Sequence, residues 1–184
     1  METLAHHLLD VMNNSWEAGA KEIDVTVRES IEKNVFRFVV EDDGCGMDKT
    51  LLKIAADEGI TTKKGENRGR GLYLLKAMTQ ECEGMFQLSS HNGKSTRLEW
   101  TVKHNHSNRK PLGDISGVIA DFIFSHPLID VVFVYATEEA TFTFFLPSMS
   151  YIYGLEKMET ASDLKKMKKV LQKNLERINY NKQS

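Results

Sequence analysis

Glu41-Asp42-Asp43-Gly44-Cys45-Gly46-Met47 follows directly on Val35–Val40, a run that is nearly all apolar. A short apolar run of that kind reads as a deeply buried strand. The seven residues are therefore a glycine-rich turn leaving a sheet. Two glycines two apart let the backbone bend sharply or approach a bound molecule closely. A carboxylate just ahead of them, at Asp42, can accept a hydrogen bond from an exocyclic amine such as that of adenine. The same residues also suit an ordinary tight turn, and a motif this small does not separate the two readings.

Working back toward the amino terminus, Ile23, Val25 and Val27 alternate with polar neighbours and predict a strand with one buried face. A polar connection around Glu29–Asn34 joins it to the apolar run. Before it, Leu4, Leu8, Val11, Met12 and Ser15 share one face of a helix that Gly19 ends. The opposite arc carries His6, His7, Asp10, Asn13, Asn14 and Glu17. Asp10 and Asn14 lie one turn apart on the same side. An asparagine carbonyl is a hard, neutral ligand suited to a magnesium ion that already shares phosphate oxygens. A carboxylate one turn earlier can orient or deprotonate a water attacking a terminal phosphate. A solvated helix face accounts for the same pair.

Working forward, a short helix is expected around Lys49–Asp57, and then a polar loop over residues 59–71. That loop holds Lys63, Lys64, Gly65, Arg68, Gly69, Arg70 and Gly71. Gly69-Arg70-Gly71-Leu72 opens a helix with Leu72, Leu75, Met78 and Cys82 on one side, closed by Gly84. Free amides at a helix start bind anions, and the basic residues ahead of them can clamp phosphates. A flexible basic surface loop is the alternative. No Gly-Lys-Ser/Thr follows at the spacing of a Walker loop. Strands at about 85–90 and 96–103 come next, joined through Asn92-Gly93.

The remainder predicts a helix, a hairpin and a helix. Asp114 suits the N-cap of a helix bearing Ile115, Val118, Ile119, Phe122 and Ile123, which His126-Pro127 stops. Ile129–Ala136 and Ala140–Leu146 form the hairpin around Thr137-Glu138-Glu139. The last helix, at about 162–178, spaces Leu164, Met167, Leu171, Leu175 and Ile178 along one face. Residues 156–184 carry eight lysines and arginines against four acidic residues, enough for a docking face, although the apolar stripe more simply packs on the domain.

Bulk properties set the bounds. The 184 residues, 41% hydrophobic and 27% charged, suit one domain with a modest appendage and a real core. A net charge of −2 gives no overall pull toward nucleic acid. Cys45 and Cys82 stand far apart, which predicts neither a disulfide framework nor a metal site and fits a reducing cytoplasm. The first residues lack the pattern of a signal peptide, and no run approaches a membrane span.

Taken in order, these motifs resemble the GHKL superfamily of gyrase, the heat-shock chaperone, histidine kinases and MutL. Asn14-Ser15-Trp16-Glu17-Ala18-Gly19-Ala20 is similar to the N box of MutL, and residues 42–47 to the first glycine box. Gly69-Arg70-Gly71-Leu72 resembles the second glycine box, and Gly93-Lys94-Ser95-Thr96 the later Gly-x-Gly-Thr turn. The whole chain also resembles short stand-alone bacterial ATP-binding proteins, in which a Pro-Leu-Gly-Asp segment, here Pro111–Asp114, follows the core. The resemblance implies a two-layer α/β sandwich of the Bergerat type, a mixed sheet with helices on one face. It implies an ATP-binding core over 1–103 and a helix–hairpin–helix extension over 104–184. It also implies ATP and magnesium as ligands, with the metal at Asn14, adenine at Asp42, support from Thr96, and loop contacts at Gly44, Gly46, Gly69 and Gly71.

Three departures from the superfamily pattern bear on chemistry. Asp10 replaces the usual catalytic glutamate, Ser95 replaces the second glycine of the late turn, and the loop before Gly69 is short. The expected function is ATP binding with slow hydrolysis as a conformational switch. Two alternatives stand beside it: a serine or histidine kinase acting on a protein partner, and an ATP sensor without chemistry. Ser125-His126-Pro127-Leu128 ends an apolar helix, where a structural role outweighs a phosphoacceptor one. His104-x-His106 offers a metal two ligands from one strand and no third.

Overall fold

A computed structural model describes residues 3–57, 71–155 and 158–180. Six strands form one sheet: β1 (Glu22–Ser30), β2 (Val35–Asp42), β3 (Phe86–His91), β4 (Ser95–Lys103), β5 (Asp130–Ala136) and β6 (Thr141–Phe145). Their order is β3-β4-β2-β1-β5-β6, with β1 and β5 parallel and every other pair antiparallel. The helices are α1 (Leu4–Glu17), α2 (Lys49–Asp57), α3 (Gly71–Glu81), α4 (Ile115–Ser125), α5 (Leu146–Tyr153) and α6 (Ala161–Tyr180). On one face of the sheet α3, α1, α4 and α6 lie side by side, following the strands beneath them from β3 to β6. This is the α/β sandwich that the sequence implies.

Period-two alternation decides which side chains enter the core. Ile23, Val25 and Val27 face the helices together with Phe36, Phe38 and Val40, and Leu98, Trp100 and Val102 continue the layer on β4. Phe38 and Trp100 stack in register, with ring centroids 4.9 Å apart and planes at 3°. The other face is polar. There Glu99 accepts from Arg37 at 2.6 and 2.9 Å and from Arg97 at 2.7 Å, and Arg97 also reaches Glu41 at 2.8 Å.

The Pro111–Asp114 segment has a definite task. The carbonyls of Pro111 and Leu112 accept from the Leu4 and Ala5 amides at 2.9 Å, satisfying donors at the start of α1 that a helix leaves orphaned. Asp114 then caps α4, accepting from the Gly117 amide at 2.8 Å and the Ser116 hydroxyl at 2.7 Å. One tetrapeptide thus starts two helices that pack against each other.

The expected hairpin of the extension joins the main sheet, because β5 pairs in parallel with β1 and lays Val131, Phe133 and Tyr135 beside Ile23, Val25 and Val27. Two expectations need correction. The segment after Phe145 turns into α5, which the strand pattern did not reveal; Pro147 stands at its start, where a missing amide costs nothing. His7, read as part of a polar arc, is only 3% exposed, because α3 covers α1 alongside the sheet.

α6 packs on α4 and over β6 through Met167 and Leu171, both fully buried, and Ile178. Leu171→Ala should therefore lower unfolding free energy by about 2–5 kcal/mol in chemical denaturation, the usual cost of a buried leucine with its cavity. A change below about 0.5 kcal/mol, typical of surface positions, would place α6 outside the cooperative core.

Candidate active site

Asp42 is the last residue of β2 and faces the helix layer, opposite Ile23 on β1 and Thr96 on β4. Its carboxylate is held from two directions. Ser15 Oγ on α1 donates to Oδ2 at 2.7 Å, and the Gly44 amide donates to Oδ1 at 3.0 Å. Each oxygen keeps a second lone pair, so the group can still accept from an incoming amine. Ser15 is 3% exposed and lies on the apolar face of α1. The helical pattern counted it with the core and missed this role; the available signal was a hydroxyl on an otherwise apolar stripe.

The glycine-rich turn is pressed against α1. The Cys45 amide donates to the Ala18 carbonyl at 2.9 Å, and a Cβ on Gly44 would sit 2.9 Å from both Ala18 Cβ and Asp42 Oδ1. Asp43 points the other way, its Oδ1 accepting from the Lys21 and Glu22 amides at 2.7 and 2.9 Å. Gly46 has φ of +63°, and a Cβ there would collide with the His91 carbonyl. Only glycine fits that approach.

On its far side the turn is tied to the β3–β4 hairpin. The Gly93 amide donates to the Cys45 carbonyl at 2.6 Å, and the Met47 amide to Ser90 Oγ at 2.8 Å. Ser90 Oγ in turn donates to the Ser95 carbonyl at 2.8 Å and lies 3.1 Å from Thr96 Oγ1. Thr96 thus shares a register position with Asp42 while its hydroxyl meets Ser90, a second residue that sequence reasoning did not single out.

α1 brings Asp10 and Asn14 to the flank of the same site, one helical turn apart. Gly71 begins α3 beside them: a Cβ on it would lie 3.9 Å from Asp10 Cβ. Leu72 packs partly buried against the core. Lys63, Lys64, Arg68, Gly69 and Arg70 lie outside the described residues. The structure sets Asp42, Gly44, Gly46 and Thr96 around the end of β2, and Asp10 beside Gly71 on α1, the helix whose Ser15 bonds Asp42.

Other candidates stand elsewhere. His126 stacks on Phe122 with centroids 4.4 Å apart, meets Trp16 at a tilt of 56° with centroids 4.6 Å apart, and caps α4. His104 lies 2.9 Å from Glu29, whose other oxygen accepts from the buried Tyr135 hydroxyl at 2.8 Å. His106 faces Glu83 at 3.6 Å. Among the described residues no three His, Cys, Asp or Glu side chains cluster as metal ligands.

Residues 2–106 match the family described as histidine kinase-, DNA gyrase B- and HSP90-like ATPase. The chain belongs to that family. It is an ATP-binding domain of the GHKL type. Among curated relatives it is 32% identical over 76 residues to the Bacillus subtilis (strain 168) protein named "Probable C4-dicarboxylate sensor kinase", covering 41% of this chain and 14% of that one. It is 43% identical over 49 residues to the sensor protein CitS of Halalkalibacterium halodurans, covering 27% of this chain and 9% of that one. The match thus takes in a small part of either relative's length. In solved structures, the N-terminal domain of a DNA repair protein superposes with a TM-score of 0.51 at 15% identity, covering 79% of this chain and 52% of that chain. That likeness is one of fold.

The turn's own electrostatics can be tested. Backbone donation from Glu22, above all, holds the Asp43 carboxyl below the usual aspartate range; burial opposes it, and donation from the Lys21 amide adds a smaller lowering effect. A lowered folded pKa contributes stability above the unfolded pKa and loses it as pH falls through the folded value. Asp43→Asn should therefore be less stable than the parent near neutral pH, and the two should converge in acid. Denaturation curves at a series of pH values check this; a gap that widens in acid contradicts it.

Proposed function

We propose that the chain binds MgATP, with adenine read by Asp42, magnesium held by Asn14 and the phosphates directed toward the start of α3. The observation that carries this reading is the Asp42 carboxylate, held by Ser15 and Gly44 with lone pairs to spare at the edge of a glycine turn. An amine donated to a charged acceptor that is already oriented gains more than one meeting a freely rotating side chain. The neighbourhood of Asp10 and Gly71 supports the placement of the phosphates, since a helix start offers free amides to an anion. The donor set also suits the metal: Asn14 would supply one hard oxygen, and phosphate and water the others.

Slow hydrolysis is the chemistry proposed for this site. Asp10, one turn before Asn14, would orient the attacking water and accept its proton. Its side chain is one methylene shorter than the glutamate usual at that place, and misplacement by ~1 Å can cost ~100-fold in rate. The reaction then times the occupancy of a conformation rather than sustaining flux. A second reading is favoured by the names of the curated relatives, both sensor proteins and one a kinase: transfer of the terminal phosphoryl group to a protein partner.

Thermal unfolding with MgATP, MgADP and no nucleotide tests the binding. At roughly one hundred times the dissociation constant the native state should gain about 2.7 kcal/mol. Asp42→Asn should abolish most of that shift. Ser15→Ala should reduce it by about 1 kcal/mol, the ordinary worth of a hydrogen bond. A well-folded parent whose melting point ignores millimolar MgATP rejects the reading.

Asp10→Asn separates chemistry from binding. Phosphate release should be lost while the nucleotide shift remains, because the amide keeps shape but cannot take a proton. Equal release by parent and variant removes Asp10 from the mechanism. No release by either, with the shift intact, favours the kinase reading, which radiolabel transfer to a partner protein then decides.

A further inference from the structure

Ser90, Thr96 and Asp42 stand in one row across the sheet. Ser90 on β3 lies opposite Thr96 on β4, and Thr96 lies opposite Asp42 on β2. Directly opposed residues share a face, with Cβ atoms about 4.5–5.5 Å apart. All three side chains therefore stand on the side of the sheet where Ser15 meets Asp42. The protons in this row have one arrangement. A serine hydroxyl holds one proton and two lone pairs. Ser90 Oγ lies 2.8 Å from the Ser95 carbonyl, which can only accept, and 2.8 Å from the Met47 amide, which can only donate. Its proton goes to Ser95, and one lone pair takes the Met47 amide. What remains for Thr96 Oγ1, 3.1 Å away, is the second lone pair, so Thr96 is the donor of that bond. Thr96 then has only lone pairs to offer a ligand. The same holds for Asp42, to which Ser15 and Gly44 already donate.

We propose that Ser90 is a positioning residue that makes the base end of the site selective for an amine. By drawing the Thr96 proton onto itself, it leaves Thr96 Oγ1 and the Asp42 carboxylate as two neighbouring acceptors. The assignment rests on adenine lying against Asp42, as proposed above, and adds how the exocyclic group of the purine is read. A primary amine carries two N–H donors and satisfies both acceptors, directly or through one water. A carbonyl in the same place meets lone pairs from both and brings no proton. A freely turning threonine hydroxyl would donate to a carbonyl as readily as it accepts from an amine. Discrimination at Thr96 therefore exists only because Ser90 fixes the direction of its hydroxyl. Ser90 is itself held from the glycine turn by Met47 and from the β3–β4 hairpin by Ser95, so it has no second orientation that keeps all its bonds.

Titration calorimetry of the whole chain with MgATP and with MgITP, which carries a carbonyl where ATP carries the amine, measures the preference. In Ser90→Ala the Thr96 hydroxyl is free to turn, so the preference for ATP should fall by about five- to tenfold, mainly through tighter ITP binding. Ser90→Thr keeps a hydroxyl at a strand position that suits a β-branched residue, and should keep the parent's preference. In a Thr96→Val background the hydroxyl is gone, and adding Ser90→Ala should leave the preference where it is. Should Ser90→Ala lose the native circular-dichroism spectrum, Ser90→Cys preserves the shape with a far weaker acceptor and should show the same fall. Equal losses of ATP and ITP affinity in Ser90→Ala would make Ser90 a structural tie only, and overturn the proposal. A fall in preference that persists in the Thr96→Val background overturns it as well. A parent that binds neither nucleotide rejects the ATP-binding reading and this role with it. ATP binding with an unaltered preference in Ser90→Ala removes the role of Ser90 alone.

Discussion

The hydrogen bond from Ser15 Oγ to Asp42 Oδ2 joins the two elements of the proposed site: the helix that carries Asp10 and Asn14, and the strand end that carries the glycine turn. A charge-assisted bond inside a largely buried setting is stronger and more directional than one in water. It sets the angle at which Asp42 leaves the sheet, and with it the position of Gly44, whose amide binds the other carboxylate oxygen. From there the chain has little freedom. Cys45 is bonded to Ala18 on one side and Gly93 on the other, and Gly46 passes so close to His91 that no side chain fits between them.

The surrounding architecture serves to keep α1 where Ser15 can reach Asp42. The sheet below supplies an apolar bed, α3 and α4 flank the helix, and the carbonyls of Pro111 and Leu112 satisfy its first amides. That last contact carries an architectural consequence. The segment that follows β4 is bonded to the start of α1 before it becomes α4, and β5 then pairs with β1. Residues beyond 103 therefore bear directly on the placement of the helix that forms one wall of the site, and a change in β5 or α4 has a physical route to it.

Much of this was legible one dimension at a time. Alternation announced β1, a continuous apolar run announced β2, and a 3.6-residue stripe announced α1, α4 and α6, because burial leaves a period in the sequence that matches the geometry of each element. The turn at 42–47 was legible because its glycines are required by contacts that any side chain would break. α5 was not legible. Its inner face is only partly buried, and aromatic residues on either side of Pro147 give strand and helix much the same pattern. His7 was misread for a related reason: helical periodicity describes one buried face, and α1 is covered on a second side.

What the sequence determined by itself was the identity and order of the chemical groups: Asp10 one turn before Asn14, Asp42 ahead of paired glycines, and Gly71 at a helix start. Those are local relations, set by helical rise and by the conformations glycine allows. Tertiary structure alone decided that Ser15 serves Asp42 rather than the core, that Ser90 rather than Asp42 meets the Thr96 hydroxyl, and that the late hairpin extends the sheet on β1. Each of these depends on which residues of distant segments are brought face to face. Strand pairing and helix packing fix that through register and burial summed over the whole chain, a quantity that no window of sequence contains.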